Sequence, residues 1–77
     1  MKKITVYCEV DYSNKKILDV SYELISKAYS LTKKASELTN EEYVVEAVAL
    51  CDEIKEDSIK KAFSAGASNF VFIKNEL

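Results

Sequence analysis

Three apolar segments, separated by two stretches with helical periodicity, constrain the fold of this 77-residue chain most. Residues 3–10 (KITVYCEV) alternate apolar and polar side chains, as a strand does. Residues 43–51 (YVVEAVALC) and 70–74 (FVFIK) are denser in apolar residues, which is typical of strands inside a sheet. Because a helical stretch separates each strand from the next, the sequence predicts a β-α-β-α-β unit with a parallel sheet.

The first helical stretch follows a polar segment, residues 11–16 (DYSNKK), which is expected to be a loop. Asp19 is the expected N-cap of the helix. Apolar residues then recur at helical spacing along one stripe, which is expected to face the core. The stripe consists of Val20, Leu24, Ala28, Leu31, Ala35 and Leu38.

The second helical stretch is shorter and carries Ile59, Ala62 and Phe63 on its expected apolar side. Gly66, the only glycine, fits the position just after the helix end. A left-handed backbone at that position costs glycine nothing.

Two strand orders are compatible with this pattern, the Rossmann-like order 3-2-1 and the flavodoxin-like order 2-1-3. Crossovers are right-handed, so order 3-2-1 places both helices on one face and order 2-1-3 places them on opposite faces. A second helix layer would bury Glu9 and Glu46, which is costly without partners. The sequence therefore favours order 3-2-1. The helix-covered faces are expected to be Ile4, Val6, Cys8 and Val10 on one strand and Val45, Ala47, Ala49 and Cys51 on another.

Order 3-2-1 leaves the other sheet face without helices. The residues expected there, and proposed as interface residues, are Tyr7, Val44, Val48 and Leu50, with either Phe70 and Phe72 or Val71 and Ile73. An exposed apolar patch of that extent marks an interface, and the free edge of the first strand can also pair with another chain. We expect a homodimer formed through the sheet face or through that edge.

Composition excludes several classes of chemistry. The net charge is −2, the eleven cationic residues are all lysines, and there is no histidine. Nucleic-acid binding by clustered cations and nucleophilic catalysis through histidine are therefore not expected. No glycine-rich phosphate loop is present. We expect no enzyme, no catalytic or cofactor-binding residues and no metal site. Cys8 and Cys51 each lie in an apolar strand and are expected to be buried free thiols.

Acidic residues at the strand ends are the remaining candidates for ligand chemistry. Ligands of open α/β sheets bind beyond the carboxyl ends of the strands. Glu9, Asp11, Asp52 and Glu53 lie there and could bind Mg²⁺ or a ribose, although solvated loop acids are the favoured interpretation. No apolar run approaches the roughly 20 residues of a membrane span. No membrane association is expected, and the predicted location is the cytoplasm.

Four segments of the chain resemble the N-terminal part of the electron transfer flavoprotein alpha subunit. They are "ITVYCEV", "KKILDVSYELISKAYSL", "VVEAVAL" and "AFSAGASNFVFI". The closest likeness is the helix opening, Ile17 to Ala28, and the strand entry from Ala65 to Phe70 also matches. The resemblance covers essentially the whole chain but only an early fraction of a family alpha subunit.

The resemblance implies a role without a cofactor. The family holds its FAD mainly in a separate C-terminal domain, and no flavin-binding residue of the family falls on this chain. Residues 1–77 are thus expected to be one domain, truncated relative to the family, that binds no FAD itself. The implied function is a non-catalytic scaffold or association domain in flavin-linked electron transfer. Its implied partners are a second copy or other electron transfer flavoprotein subunits. The alternative is a small adenine-nucleotide-binding module that uses the strand ends near Val10 and Cys51.

Overall fold

A parallel three-stranded sheet and two helices make up most of the computed structural model, which describes residues 2–74. The elements in chain order are β1 (Lys2–Cys8), β2 (Val10–Asp11), β3 (Lys16–Ile17), α1 (Asp19–Thr39), β4 (Tyr43–Leu50), α2 (Glu56–Ala65) and β5 (Asn69–Ile73). β4 lies between β1 and β5, and all three strands are parallel. The predicted α/β fold with a parallel sheet is confirmed.

The main core lies between the sheet and both helices. Ile25 of α1 and Ala62 of α2 pack in one buried cluster with Val6, Val45 and Ala47 of the sheet. The alternating small residues of β4 let the helices approach the sheet closely. A second cluster near the carboxyl ends of the strands contains Ile17, Ala49, Cys51 and Ile54.

The buried face of α1 differs from the predicted apolar stripe. Its buried residues are Ser21, Ile25, Ala28 and Thr32. Of the predicted stripe only Ala28 is buried, whereas Val20, Leu24, Leu31 and Leu38 are exposed. The two hydroxyls tolerate burial because each has a hydrogen-bond partner: the Glu9 N–H donates to Ser21 Oγ, and Thr32 Oγ1 donates to the Tyr29 carbonyl. The prediction of the core stripe was therefore wrong: α1 is rotated about its own axis, so that a neighbouring stripe faces the sheet.

The segment expected to be a loop before α1 is a short hairpin. Val10 pairs with Ile17 and Asp11 pairs with Lys16 in antiparallel register. The Asp11 carboxylate closes the turn by accepting hydrogen bonds from the backbone N–H groups of Ser13 and Asn14, and Lys15 adopts a φ of 55°. The predicted N-cap is also wrong, because Leu18 occupies that position and Asp19 is the first helical residue. A carboxylate in the first turn still interacts favourably with the helix dipole.

Gly66 ends α2 as the sequence predicts. Its φ is +126°, and its N–H donates to the carbonyls of Ala62 and Phe63. Across residues 2–74 no helix has the length and apolar character that a membrane crossing requires.

Candidate functional site

One face of the sheet has no helix on it among the described residues, and we call it the open face. Neighbouring residues of parallel strands share a face, and successive residues alternate between faces. The register places Tyr7 beside Val48 and Val48 beside Val71. The open face consists of Lys3, Thr5, Tyr7, Val44, Glu46, Val48, Leu50, Asn69, Val71 and Ile73. Phe70 packs against the helix-side core, so β5 contributes Val71 and Ile73 to the open face.

The carboxyl end of the open face is apolar and accessible. Tyr7 is 74% exposed, and Leu50 and Ile73 are each 47% exposed. Of the other predicted interface residues, Val44 is half-buried and Val48 is only 6% exposed. Val48 lies on the central strand, between residues of both edge strands, and is already covered within the chain. Tyr7 and Leu50 are therefore the predicted residues that a partner can reach most fully.

The amino end of the open face is polar and internally satisfied. Lys3 Nζ and Asn69 Nδ2 both donate to Glu46 Oε2, at 3.2 Å and 3.0 Å. These bonds, that of Lys3 first, lower the pKa of Glu46 below its ordinary 4.5. The sequence could not reveal this network, because its members lie on three different strands. Glu46 is thus accommodated on the sheet without another layer over it.

The Glu46 network predicts an acid-sensitive contribution to stability. A carboxyl whose pKa is lower in the folded chain stabilises the fold above its unfolded pKa, and the contribution is lost as the pH falls through the folded pKa. Replacing Glu46 with glutamine should therefore flatten the decline in the free energy of unfolding between about pH 5 and pH 3. Urea unfolding at a series of pH values measures this. Glu37→Gln, on an exposed position of α1, is the matched control. Equal pH slopes for Glu46→Gln and the unaltered chain would contradict the assignment.

Two of the four strand-end acids, Asp11 and Glu53, are engaged by other side chains of the described residues. Lys15 Nζ lies 2.8 Å from Glu53 Oε2, and this pairing lowers the pKa of Glu53. The Tyr12 hydroxyl donates to the Leu50 carbonyl at 2.8 Å. Asp11 closes the hairpin turn. Within residues 2–74 no group of three or more His, Cys, Asp or Glu is placed to hold a metal ion.

The two thiols lie on the core side of the structure. Cys51 is buried and Cys8 is half-buried, and both are free. Burial raises the pKa of both thiols, which disfavours the reactive thiolate form. Their position agrees with a packing role.

A second accessible apolar surface runs along α1 beside β1. Leu24, Lys27 and Leu31 border a groove whose other wall includes Thr5 and Tyr7. Sequence reasoning missed this surface because it placed the same leucines in the core. The spacing of apolar residues identifies a stripe along the helix, but it does not show whether that stripe faces the core or the solvent.

Comparisons of the chain with protein-family models, curated proteins and solved structures found no match. The role of the open face is therefore inferred from its own geometry and charge.

Proposed function

We propose that this chain is a non-catalytic association domain that forms a homodimer through its open face. One observation carries the proposal. The apolar end of that face exposes Tyr7, Leu50 and Ile73 together, and no other element of residues 2–74 covers them. Removing a contiguous apolar surface from water is the principal driving force of association.

Two copies of the open face can pack against each other about a two-fold axis. Sheets stack face to face about 10 Å apart, which side chains of leucine and tyrosine size can fill. Dimers of this kind use the same patch on both subunits. The polar row of Glu46, Lys3 and Asn69 lies at the opposite end of the face and can remain at the solvated rim. The Glu46 carboxylate accepts hydrogen bonds from Lys3 and Asn69 of its own copy, so it keeps these partners when the faces stack.

The finer description of the fold belongs to the same proposal. We infer a Rossmann-like half-fold of strand order 3-2-1, supported by the central position of β4 and by the packing of both helices in one cluster. The resemblance of residues 17–28 to the electron transfer flavoprotein alpha subunit supports a scaffold role in flavin-linked electron transfer in the cytoplasm. On that reading, other subunits of such a flavoprotein are further candidate partners of the open face.

The adenine-nucleotide-binding alternative stays a prediction from the sequence. In the strand-end loops, the Lys15 ammonium is paired with Glu53, and Asp52 adds a further negative charge. Such surroundings oppose a phosphate group.

Replacing Leu50 with lysine should dissociate the open-face dimer. The substitution places a charge on both copies at the stacked faces, and we expect the dimer dissociation constant to rise by about 100-fold or more. Light scattering coupled to size exclusion gives the mass at each loading concentration. Phe63→Lys is the matched control, because Phe63 is similarly exposed but lies on α2. An unchanged dimer in Leu50→Lys would show that the open face is not the interface.

A further inference from the structure

The outer edge of β1 has unused backbone hydrogen-bonding groups. The Lys2 N–H donates to the Glu42 carbonyl at 2.9 Å, so Lys2 and every second residue after it bond toward β4. The residues between them, Lys3, Thr5 and Tyr7, therefore direct their N–H and C=O groups away from the sheet. β1 forms one side of the described sheet, with no strand beyond it. Such an edge is a template for another strand.

The exposed stripe of α1 lies directly beside this edge. Leu24 and Leu31 border the groove at Thr5, and Leu31 is 56% exposed. A strand added at β1 would thus bring its own covering helix against the α1 stripe. Edge and stripe form one continuous surface, which we call the edge surface.

We propose that a second copy of this chain binds the edge surface, with β1 antiparallel to β1 about a two-fold axis at Thr5. In this register Thr5 faces Thr5 of the second copy, and their outward N–H and C=O groups exchange hydrogen bonds. Lys3 then lies opposite Tyr7 of the second copy, a cation–π combination on the open face. The strand sequence is thus complementary to itself.

The α1 stripe is complementary to itself about the same axis. Thr5 lies in the groove with Lys27 and Ala28, so a helix crossing centred between those two residues shares the axis of the strands. That crossing packs Leu24 against Leu31 of the second copy, and the reciprocal contact forms as well. Glu23 and Lys34 lie on the solvent flank of the stripe and come within about one helical turn of each other across the axis. Both the apolar and the charged contacts therefore favour a second copy as the occupant.

Lysines near the edge of β1 oppose the pairing through charge repulsion between the two copies. Lys2 and Lys3 are already neutralised by Glu41 and Glu46, at 2.9 Å and 3.2 Å. Lys27 lies near the two-fold axis and would approach Lys27 of the second copy. Glu23, one turn earlier on the helix, offsets part of the repulsion between these two ammonium groups. Lys27 is therefore a position where a substitution can strengthen association instead of weakening it.

The edge pairing goes beyond the open-face dimer, because it uses a different surface and a different symmetry axis. Antiparallel edge pairing uses an axis perpendicular to the sheet, whereas stacking of the open faces uses an axis parallel to it. Because the two axes differ, the two pairings bring different residues of the chain together and can be tested separately.

Substitutions on α1 test the edge pairing without disturbing the core. Leu31→Lys should raise the dissociation constant of the edge pairing by about 100-fold, because both copies place a charge opposite Leu24. Leu38→Lys is the control: Leu38 belongs to the same stripe but extends beyond the overlap with the second helix. Lys27→Met should lower the dissociation constant by about tenfold by removing the like charges. Sedimentation velocity measures all three, and equal association of Leu31→Lys and Leu38→Lys overturns the pairing.

Hydrogen exchange separates this interface from the open face. Amides of Thr5 and Tyr7 should become protected as the chain associates, whereas those of Ile4 and Val6 are protected by β4 at every concentration. If the amides of Thr5 and Tyr7 still exchange their hydrogens rapidly in the fully associated chain, the edge pairing is overturned.

If only Leu50→Lys dissociates the assembly, the proposed open-face dimer stands and the edge pairing fails. If only Leu31→Lys does so, the edge pairing stands and the open-face dimer fails.

Discussion

Replacing Gly66 with alanine is expected to lower the free energy of unfolding by about 2–4 kcal/mol. At a φ of +126° the backbone is strained for any residue with a Cβ atom. A Cβ there would also lie 2.6 Å from Cβ of Tyr29, which is closer than such atoms can approach. A chain of this size has only roughly 3–5 kcal/mol of stability. Most Gly66→Ala molecules should therefore be unfolded or close to unfolding at room temperature.

Urea unfolding followed by circular dichroism measures this loss at a fixed protein concentration. Ser64→Ala is the matched control, because Ser64 is exposed in the same helix and should change stability by no more than about 0.5 kcal/mol. Equal stability of the two variants would mean that α2 does not end in a left-handed turn against Tyr29.

Replacing Ile25 with alanine is the second large effect, and it tests which face of α1 is buried. Ile25 is fully buried among residues of β1, β4 and α2, so its truncation removes apolar contacts and leaves a cavity. The expected loss is about 2–5 kcal/mol. Leu38→Ala, on the predicted stripe but 87% exposed, should cost less than about 0.5 kcal/mol.

The same urea titration compares these two variants under identical conditions. Leu38 lies outside both proposed interfaces, so its truncation reports on the monomer alone. A larger loss in Leu38→Ala than in Ile25→Ala would place the predicted stripe against the sheet and remove the edge surface from the molecule.

Local pattern was sufficient to predict the parallel sheet and both helices. Each local pattern is compatible with few structures. The patterns are the alternation in β1, the dense apolar run of β4 and the single glycine after α2. The position of α1 about its own axis was not predictable in this way. Apolar side chains favoured the stripe from Val20 to Leu38, but packing against Ala47 and satisfied hydroxyls at Ser21 and Thr32 favoured the neighbouring stripe.

The candidate surfaces were likewise predictable where they depend on the pattern within one strand, and not where they depend on contacts between distant segments. Alternation within β4 identified Leu50, and alternation within β1 identified Tyr7, as residues of the open face. The choice of Val71 and Ile73 over the phenylalanines of β5 needed the register between strands. The hairpin at residues 10–17 was missed because its turn depends on the Asp11 carboxylate, in a segment whose composition is typical of a loop.

Self-association is the central claim, and sedimentation of the unaltered chain over a range of concentrations tests it most directly. From about 1 to about 200 µM, a range that covers moderate affinities, the mass should rise from the 8.7 kDa of one chain to at least twice that value. A species that keeps the mass of a single chain at every concentration would contradict both proposed interfaces.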